Sequence, residues 1–366
     1  MNREFAVQFH SLLEQAVTDR PDALGDDPMV LADRLGVGGY MRRLIAGETD
    51  GAERKFRSLK NTIIKDGASR ISEILTEGGI RHFFFKGAAL VGEVYETGDR
   101  DLEDVDLHVH PDDRVSALEL LTAKGCRPDP ESEQAGPPEL RATLSLSMPL
   151  GQSELERVWV DVHWAVEPLS HLLPRSDLEL PSVVWAEVAR SGGLPAPSRS
   201  HHAVLLMQHL AHHDFLHLRG VVDVALLWQD LLSDHASAAG LARQIGFEKP
   251  AVSISAWLNR ILGLEGPEMW RREWRRLRVK KFSHGLSFSD LCVQRAARSE
   301  DDFQRINRDR IKTRLKLLGP GALPGLLQDV VFPPQSFIRW RWPKSSVLIP
   351  GRVLHFRQVL AKILGK

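Results

Sequence analysis

The chain has 366 residues, with 43% hydrophobic residues, 26% charged residues and a formal net charge of zero. This composition is ordinary for a soluble globular protein of about two or three domains, and the balanced charge argues against a broadly acidic partner. The only cysteines, Cys126 and Cys292, lie too far apart for a metal-binding motif or a disulfide framework. The first residues, "MNREFAVQFHSLLEQ", lack the apolar stretch of a signal peptide, so we expect a cytoplasmic protein without a membrane span.

Residues 1–78 predict an N-terminal helical region. Segments such as "FAVQFHSLLEQAV" and "VLADRLGVGGYMRRLIAG" carry apolar residues at helical spacing. The last predicted helix of this region stops at Gly78 and Gly79, which is a typical helix end.

Residues 79–170 alternate predicted strands with predicted helices. The segments "IRHFFFKG", "DVDLHVH", "LRATLSLSMPL" and "ERVWVDVHW" are typical of strands. Between them, "AALVGEVYETG" predicts a helix that stops near Gly98, and "PDDRVSALELLTAKGC" predicts a second helix. This order indicates a small α/β or α+β unit.

Residues 171–366 predict a mainly helical C-terminal domain. The run from His201 contains two helices that should meet near Arg219 and Gly220. A basic segment at residues 271–281, "RREWRRLRVKK", is typical of a solvated helix face. The alternative is a surface for RNA or an acidic peptide, because tryptophans are interleaved with the basic residues.

Two of the predicted strands carry carboxylates on one face. The alternation of side chains along a strand places Asp104, Asp106 and His108 together, opposite an apolar face. On the last strand, Asp161 and His163 share a face. Carboxylates this close repel one another unless a cation lies between them, so neighbouring strands would form a divalent-metal site for phosphoryl or nucleotidyl transfer. The alternative is a solvated edge strand that binds no metal.

A phosphate-binding turn is predicted where the first strand of this unit meets a helix. Gly87 would let the backbone approach a ligand closely, and Lys86 would add a positive charge beside it. The alternative is a tight turn whose lysine points to water.

These segments together resemble the uncharacterised nucleotidyltransferase family of the polymerase-β-like superfamily. The resemblance rests on "FKGAAL", on Tyr95 followed by Arg100, on "DVDLHV" and on "VDVHW". With the "FPP" near the C-terminus, it extends roughly from residue 30 to the end of the chain. It implies an α+β fold, in which a small mixed sheet is flanked by N-terminal and C-terminal helical domains.

The resemblance also implies an activity and its residues. Asp104, Asp106 and Asp161 would be the catalytic ligands of Mg²⁺, with Mn²⁺ as the alternative ion. A nucleoside triphosphate, such as ATP, would donate its nucleoside monophosphate to a hydroxyl or phosphate of a small molecule, peptide or protein and release pyrophosphate. A role in tailoring a peptide natural product fits this family, and nucleic acid is not expected as a partner.

The sequence departs from the superfamily at the phosphate turn, where a Gly-Ser pair is usual. Here Ala88 follows Gly87, so Lys86 and the backbone N–H groups of Gly87 and Ala88 are the expected phosphate ligands. Arg100 would either bind phosphate or pair with nearby acids. The missing serine raises a second hypothesis, a catalytically inactive nucleotide-binding or regulatory protein on the same fold.

Five histidines and one further aspartate complete the candidates. His163 would orient the acceptor or Asp161, and His108 stands where the family tends to be apolar. His209, His213 and His217 are spaced four residues apart, which raises a zinc hydrolase as a third hypothesis. Three turns of one helix cannot converge on one ion, so we expect these histidines to line or pack on the active-site cleft. Asp223 lies in an apolar run and would pair with Arg219 or reach the cleft.

Overall fold

The computed structural model describes most of the chain up to residue 296. The described residues are 2–47, 51–130, 132, 141–150, 157–166, 169, 179–191, 193–213, 215, 219–276 and 287–296. The predictions for His217, for residues 277–281, for the "FPP" segment and for the last helix fall outside these ranges. Within them, no helix has the length and apolar character needed to cross a membrane.

The N-terminal part is helical, as the apolar spacing predicts. Its helices are α1 (Asn2–Asp19), α2 (Pro21–Leu24), α3 (Pro28–Arg34), α4 (Gly38–Met41), a π-helical turn (Arg42–Ala46) and α5 (Ala52–Glu77). The single helix predicted around residues 30–47 is interrupted. Gly36 has a φ of 76°, a conformation that ends α3 and that glycine adopts at little cost.

A five-stranded mixed sheet forms the centre of the molecule and confirms the α+β class. Its strands are β1 (His82–Phe85), β2 (Val105–Val109), β3 (Arg127–Pro128), β4 (Thr143–Pro149) and β5 (Arg157–His163). Their spatial order is β1-β2-β5-β4-β3. Only β2 and β5 run parallel, and the other neighbours are antiparallel. The two acidic strands are therefore direct neighbours.

The connections differ partly from the prediction. Helix α7 (Arg114–Ala123) follows a short 3₁₀ turn (Pro111–Asp113), as expected. Helix α6 (Gly87–Leu90) is much shorter than the helix predicted to reach Gly98, so that prediction was wrong. The chain turns at Gly92, which has a φ of 87° and whose N–H donates to the carbonyl of Tyr95 at 2.8 Å. This left-handed residue stops the helix one turn after it begins.

The sheet has one apolar face and one polar face. Val105, Leu107 and Val109 are completely buried on the apolar face. Helix α5 approaches this face closely at Gly67, where an added Cβ would lie 3.2 Å from a methyl group of Val158. The opposite face carries the carboxylates and histidines, as period-two alternation requires.

The C-terminal helices lie beyond a short two-stranded hairpin. The elements are α8 (Ser182–Ala186), β6 (Ala189–Ser191), β7 (Leu194–Ala196), α9 (Arg199–His212), α10 (Arg219–Leu226), α11 (Trp228–Ser233), α12 (His235–Gln244), α13 (Glu248–Leu262), α14 (Glu268–Arg276) and α15 (Phe288–Ala296). The break predicted near Arg219 is present. Helix α9 ends at His212, so His209 and His213 do not continue one regular helix.

The described part of the basic segment belongs to α14. Trp270 is buried, and Arg271 and Arg272 form ion pairs with Glu268 of the same helix. A buried tryptophan cannot stack on a base. Arg272 lies at the surface, and Arg271 is half-buried. For residues 271–276 this arrangement favours the solvated helix face over an RNA-binding surface.

Candidate active site

Asp106 and Asp161 face each other on the two parallel strands. They are register partners in the β2–β5 pair. His108 and His163, two residues further along each strand, are partners as well. Asp106 is only 3% exposed, and Asp161 is half-buried. Asp106, Asp161 and His163 each offer a ligand atom, and these atoms lie within 4.8 Å of one another. The fold therefore joins two of the three predicted carboxylates with one predicted histidine.

Asp106 is held as a carboxylate by two basic neighbours. Lys86 Nζ lies 2.5 Å from Oδ1 of Asp106, and His163 Nε2 lies 3.4 Å from the same oxygen. Burial alone would raise the pKa of Asp106, but Lys86 and His163 together lower it below its usual range. An ionised, buried carboxylate is the form that can ligate a cation.

Asp104 stands beside this cluster. It lies directly before β2 and is half-buried. Burial, followed by repulsion from Asp106, raises the pKa of Asp104 to about 6. Asp104 and Asp161 line a common cavity, but Asp104 does not belong to the three-residue cluster. Its role as a metal ligand stays a prediction.

The residues fit a divalent metal ion. Two carboxylates and one imidazole converge on a common point, and three aspartates concentrate negative charge around it. Carboxylate oxygens suit Mg²⁺ and Mn²⁺, whereas the imidazole is also accepted by softer ions such as Zn²⁺. The donor set supports a divalent cation without selecting one.

The side chain of Ser145 orients Asp161. Ser145 on β4 is the register partner of Asp161, and its hydroxyl donates to Oδ1 at 2.6 Å. This serine could not be singled out from the sequence, because it lies in a polar alternation that any half-exposed strand can have.

Replacing Ser145 with alanine should weaken metal binding without unfolding the protein. The variant removes the bond that fixes the Asp161 carboxylate, and loss of such a supporting partner typically costs about 10- to 100-fold in metal affinity. Mn²⁺ binding followed by electron paramagnetic resonance measures the effect. Ser147→Ala, two residues along the same strand, is the matched control and should leave the affinity unchanged.

The Lys86–Gly87 turn has a constrained backbone. Lys86 has a φ of 54°, which is rare for a residue other than glycine, and its N–H donates to Nε2 of His202 at 3.1 Å. A Cβ at Gly87 would overlap the guanidinium of Arg100 and the side chain of Leu102. Gly87 is therefore required by packing as well as by the turn. Phosphate binding by Lys86, Gly87 and Ala88 stays a prediction.

Arg100 forms a buried ion pair across the molecule. Its Nε and Nη2 each donate to Asp223 at 2.9 Å, and the Tyr95 hydroxyl donates to the same carboxylate at 2.7 Å. Of the two roles considered for Arg100, pairing with an acid is the one the structure shows, although that acid comes from helix α10. The pair predicted between Asp223 and Arg219 is wrong, since Arg219 instead lies 3.3 Å from Glu103.

His108 is a packed, neutral histidine. It is 4% exposed, and its ring centroid lies 5.0 Å from Phe83, 4.7 Å from Phe85 and 5.2 Å from His163. Burial first, and then the charges of His163 and Lys86, lower the pKa of His108 well below its ordinary value. Its contacts support the ring of His163.

Sequence reasoning missed two buried residues that hold the site together. His202 of α9 accepts the N–H of Lys86 and thereby supports the strained turn. Asn61 of α5 donates to the carbonyl of Arg100 at 2.7 Å and accepts the N–H of Leu102 at 3.1 Å. Asn61 fixes the loop that leads into β2. The available signal in the sequence was a polar asparagine at a position where the helical spacing of α5 places apolar residues.

Acid should destabilise the protein partly through His202. Burial lowers the pKa of His202 to about 4 from 6.5, so the unfolded chain takes up a proton at a pH where the folded chain does not. Stability is therefore lost as the pH falls from 6.5 towards 4, by about 3 kcal/mol from this residue. Urea unfolding at several pH values should show a shallower pH dependence in His202→Gln, which keeps an acceptor but does not titrate. An unchanged slope would contradict this assignment.

Two cavities meet at Asp161. The first, which we call the histidine cavity, has a volume of about 190 Å³ and is lined by Lys86, His108, Asp161, His163, His209, His212 and His213 with several apolar residues. The second, the acidic cavity, has a volume of about 410 Å³ and is lined by Glu103, Asp104, Asp129, Ser145, Trp159 and Asp161. The expectation that His209 and His213 line the cleft is thus confirmed.

Comparison with known proteins agrees with this geometry. No curated protein matches the chain. The model of a protein family described as "Uncharacterised nucleotidyltransferase" matches residues 50–263, which include α5, the whole sheet and helices α8 to α13. The match contains the Lys86–Gly87 turn, both acidic strands and Asp223. It begins later and ends earlier than the resemblance seen in the sequence. Because it covers more than half of the chain, the protein belongs to the uncharacterised nucleotidyltransferase family.

Proposed function

We propose that the protein is a Mg²⁺-dependent nucleotidyltransferase that moves a nucleoside monophosphate from a nucleoside triphosphate to a hydroxyl group. The observation that carries this proposal is the convergence of Asp106, Asp161 and His163 on two parallel strands, beside Lys86. Family membership supports nucleotidyl transfer in general. The metal, the nucleotide and the acceptor are the parts that are proposed.

Each residue of the site has a role in this proposal. Asp106 and Asp161 would hold the ion, with Asp104 as a further ligand on the open side. Bound Mg²⁺ would supply charge that stabilises the triphosphate and the attacking oxygen. Lys86, which pairs with Asp106 in this structure, would bind a phosphate oxygen when that carboxylate is used to hold the ion. Asp161 borders both cavities, so it would accept the hydrogen bond of the acceptor hydroxyl.

The acidic cavity would receive the acceptor. It presents carboxylates, and Trp159 at its edge is 48% exposed. Such a wall repels phosphate groups, so a polynucleotide or a phosphorylated acceptor is disfavoured. An exposed indole suits a sugar ring, a peptide side chain or a cation. A hydroxyl on a small molecule, peptide or protein fits best, and tailoring of a peptide natural product is one such reaction.

The proposal is tested by transfer of label from nucleoside triphosphates carrying a radioactive α-phosphate. Each of the four nucleotides is incubated with Mg²⁺, the full chain and pools of hydroxylated small molecules, peptides and proteins, and pyrophosphate release is followed in parallel. We expect metal-dependent label transfer by the wild type and none by Asp106→Asn. Metal-dependent nucleotide binding without transfer to any pool would instead support the inactive regulatory protein.

The zinc hydrolase finds little support in the described residues. No group of three ligands there includes His209 or His213, and α9 ends before His213. Metal analysis of the purified protein decides this point, since a stoichiometric zinc ion would revive the hydrolase hypothesis.

A further inference from the structure

The histidine cavity has no assigned ligand, although it adjoins the candidate active site. Helix α9 contributes His209 and His212 to its wall, and the residue after the helix, His213, completes the group. The three rings lie against one another, with centroids 4.3 Å apart for His209 and His213 and 5.1 Å apart for His212 and His213. Imidazole rings therefore form much of one wall of this cavity.

The polar groups of the cavity select an anion. Lys86 contributes a full positive charge, and imidazole N–H groups donate to phosphate oxygens in either protonation state. Among the lining residues that the structure describes, Asp161 at the border of the cavity is the one carboxylate. The acidic cavity on the other side of Asp161 has the opposite character. Lys86 is paired with Asp106 in this structure, so its charge would become available to phosphate when Asp106 holds a cation. The acidic cavity, by contrast, repels phosphate.

A buried imidazole provides a second, independent sign of a ligand. His108 is 4% exposed and lines the cavity, and its Nδ1 has no hydrogen-bond partner in the described part of the chain. A buried polar atom in this state costs free energy unless a ligand or water satisfies it. A phosphate oxygen in the cavity is a suitable partner for an N–H at that position.

We propose that the histidine cavity binds the diphosphate end of the nucleotide, with His209 and His212 of α9 as its ligands. This inference rests on the proposed function. The α-phosphorus would lie near Asp161, and the β- and γ-phosphates would extend past Lys86 into the cavity. The bond from the α-phosphorus to the bridging oxygen breaks as the bond to the acceptor oxygen forms. Pyrophosphate leaves with the bridging oxygen, and the acceptor proton passes to Asp161 and then to solvent.

The helical region would then be part of the active site. The strand residues would hold the metal, while α9 would hold the leaving group. The same helix supports the phosphate turn through His202. Removing α9 would therefore remove both the support of the turn and the diphosphate ligands.

The probe is inorganic pyrophosphate with Mg²⁺, titrated into the full chain and followed by calorimetry. We expect His209→Gln and His212→Gln each to weaken pyrophosphate binding about tenfold, as for loss of one hydrogen bond to a charged group. His235→Gln is the matched control, because His235 is exposed on α12, and it should bind like the wild type. Histidine ¹⁵N resonances of the wild type give a second readout. The signals missing from each variant identify His209 and His212, and we expect pyrophosphate to shift these signals.

Three results would overturn the proposal, and the first two leave the proposed function intact. The first result is equal pyrophosphate affinity in all variants, unshifted histidine signals and metal-dependent nucleotide binding that persists. It rejects the histidine cavity as the diphosphate site. A change in preference among the four nucleotides without any change for pyrophosphate would place the base in the cavity. If neither pyrophosphate nor any nucleoside triphosphate binds the wild type, the proposed function fails as well.

Discussion

Replacing Asp223 with alanine should destabilise the protein by about 3–5 kcal/mol, which is the usual cost of breaking a buried ion pair from one side. The variant leaves the Arg100 guanidinium buried without its carboxylate and removes the acceptor of the Tyr95 hydroxyl. Because Arg100 packs against Gly87, the Lys86–Gly87 turn should loosen too. Equilibrium unfolding in urea gives the change in the free energy of unfolding.

A neighbouring ion pair provides the matched control for this prediction. Glu103 and Arg219 join the same two parts of the chain, but Glu103 is exposed. Exposed pairs contribute about 0–1 kcal/mol, so Glu103→Ala should change the stability little. If Asp223→Ala and Glu103→Ala lower the free energy of unfolding equally, burial of the Arg100–Asp223 pair does not determine its contribution to stability.

Replacing Lys86 with methionine should have opposite effects on two ligands. Lys86 occupies the Asp106 carboxylate in the absence of metal, so its removal should strengthen Mn²⁺ binding to the nucleotide-free protein at least about tenfold. Unit charges about 4 Å apart interact by roughly 1–4 kcal/mol at such sites. Binding of a nucleoside triphosphate should weaken about 10- to 100-fold, because a charge-assisted hydrogen bond to phosphate is lost.

Electron paramagnetic resonance of Mn²⁺ and calorimetry with nucleotide measure these two effects separately. Lys60→Met is the control, since Lys60 forms a partly exposed pair with Asp101 away from the carboxylate cluster. A Lys86→Met variant that loses metal and nucleotide affinity together would indicate a structural role for the lysine. That result would reject the idea that Lys86 moves from Asp106 to a phosphate group.

The polar face of the sheet was largely predictable because it depends on period-two alternation. The spacing of Asp104, Asp106 and His108, and that of Asp161 and His163, fixes which side chains share a face. The adjacency of the two strands was not contained in that spacing. It was reached only through the family resemblance, and the parallel register of Asp106 with Asp161 confirms it.

The partners of the site could not be predicted from local patterns. Arg100 and Asp223 are 123 positions apart, and Lys86 and His202 are 116 apart. Tertiary packing alone brings these residues together. The helix predicted after Gly87 failed for a similar reason, because its apolar residues suit a helix until Gly92 adopts a left-handed backbone.

The measurement that tests the central claim most directly is calorimetric titration of each nucleoside triphosphate, with and without Mg²⁺, into the wild type and Asp106→Asn. We predict that at least one nucleotide binds the wild type only when the metal is present. The variant should lose about 3 kcal/mol of this binding, or about a hundredfold in Kd, because a metal ligand is gone. Equal nucleotide affinity in Asp106→Asn and the wild type, or nucleotide binding that is the same with and without Mg²⁺, would contradict a metal-dependent nucleotidyltransferase site at Asp106.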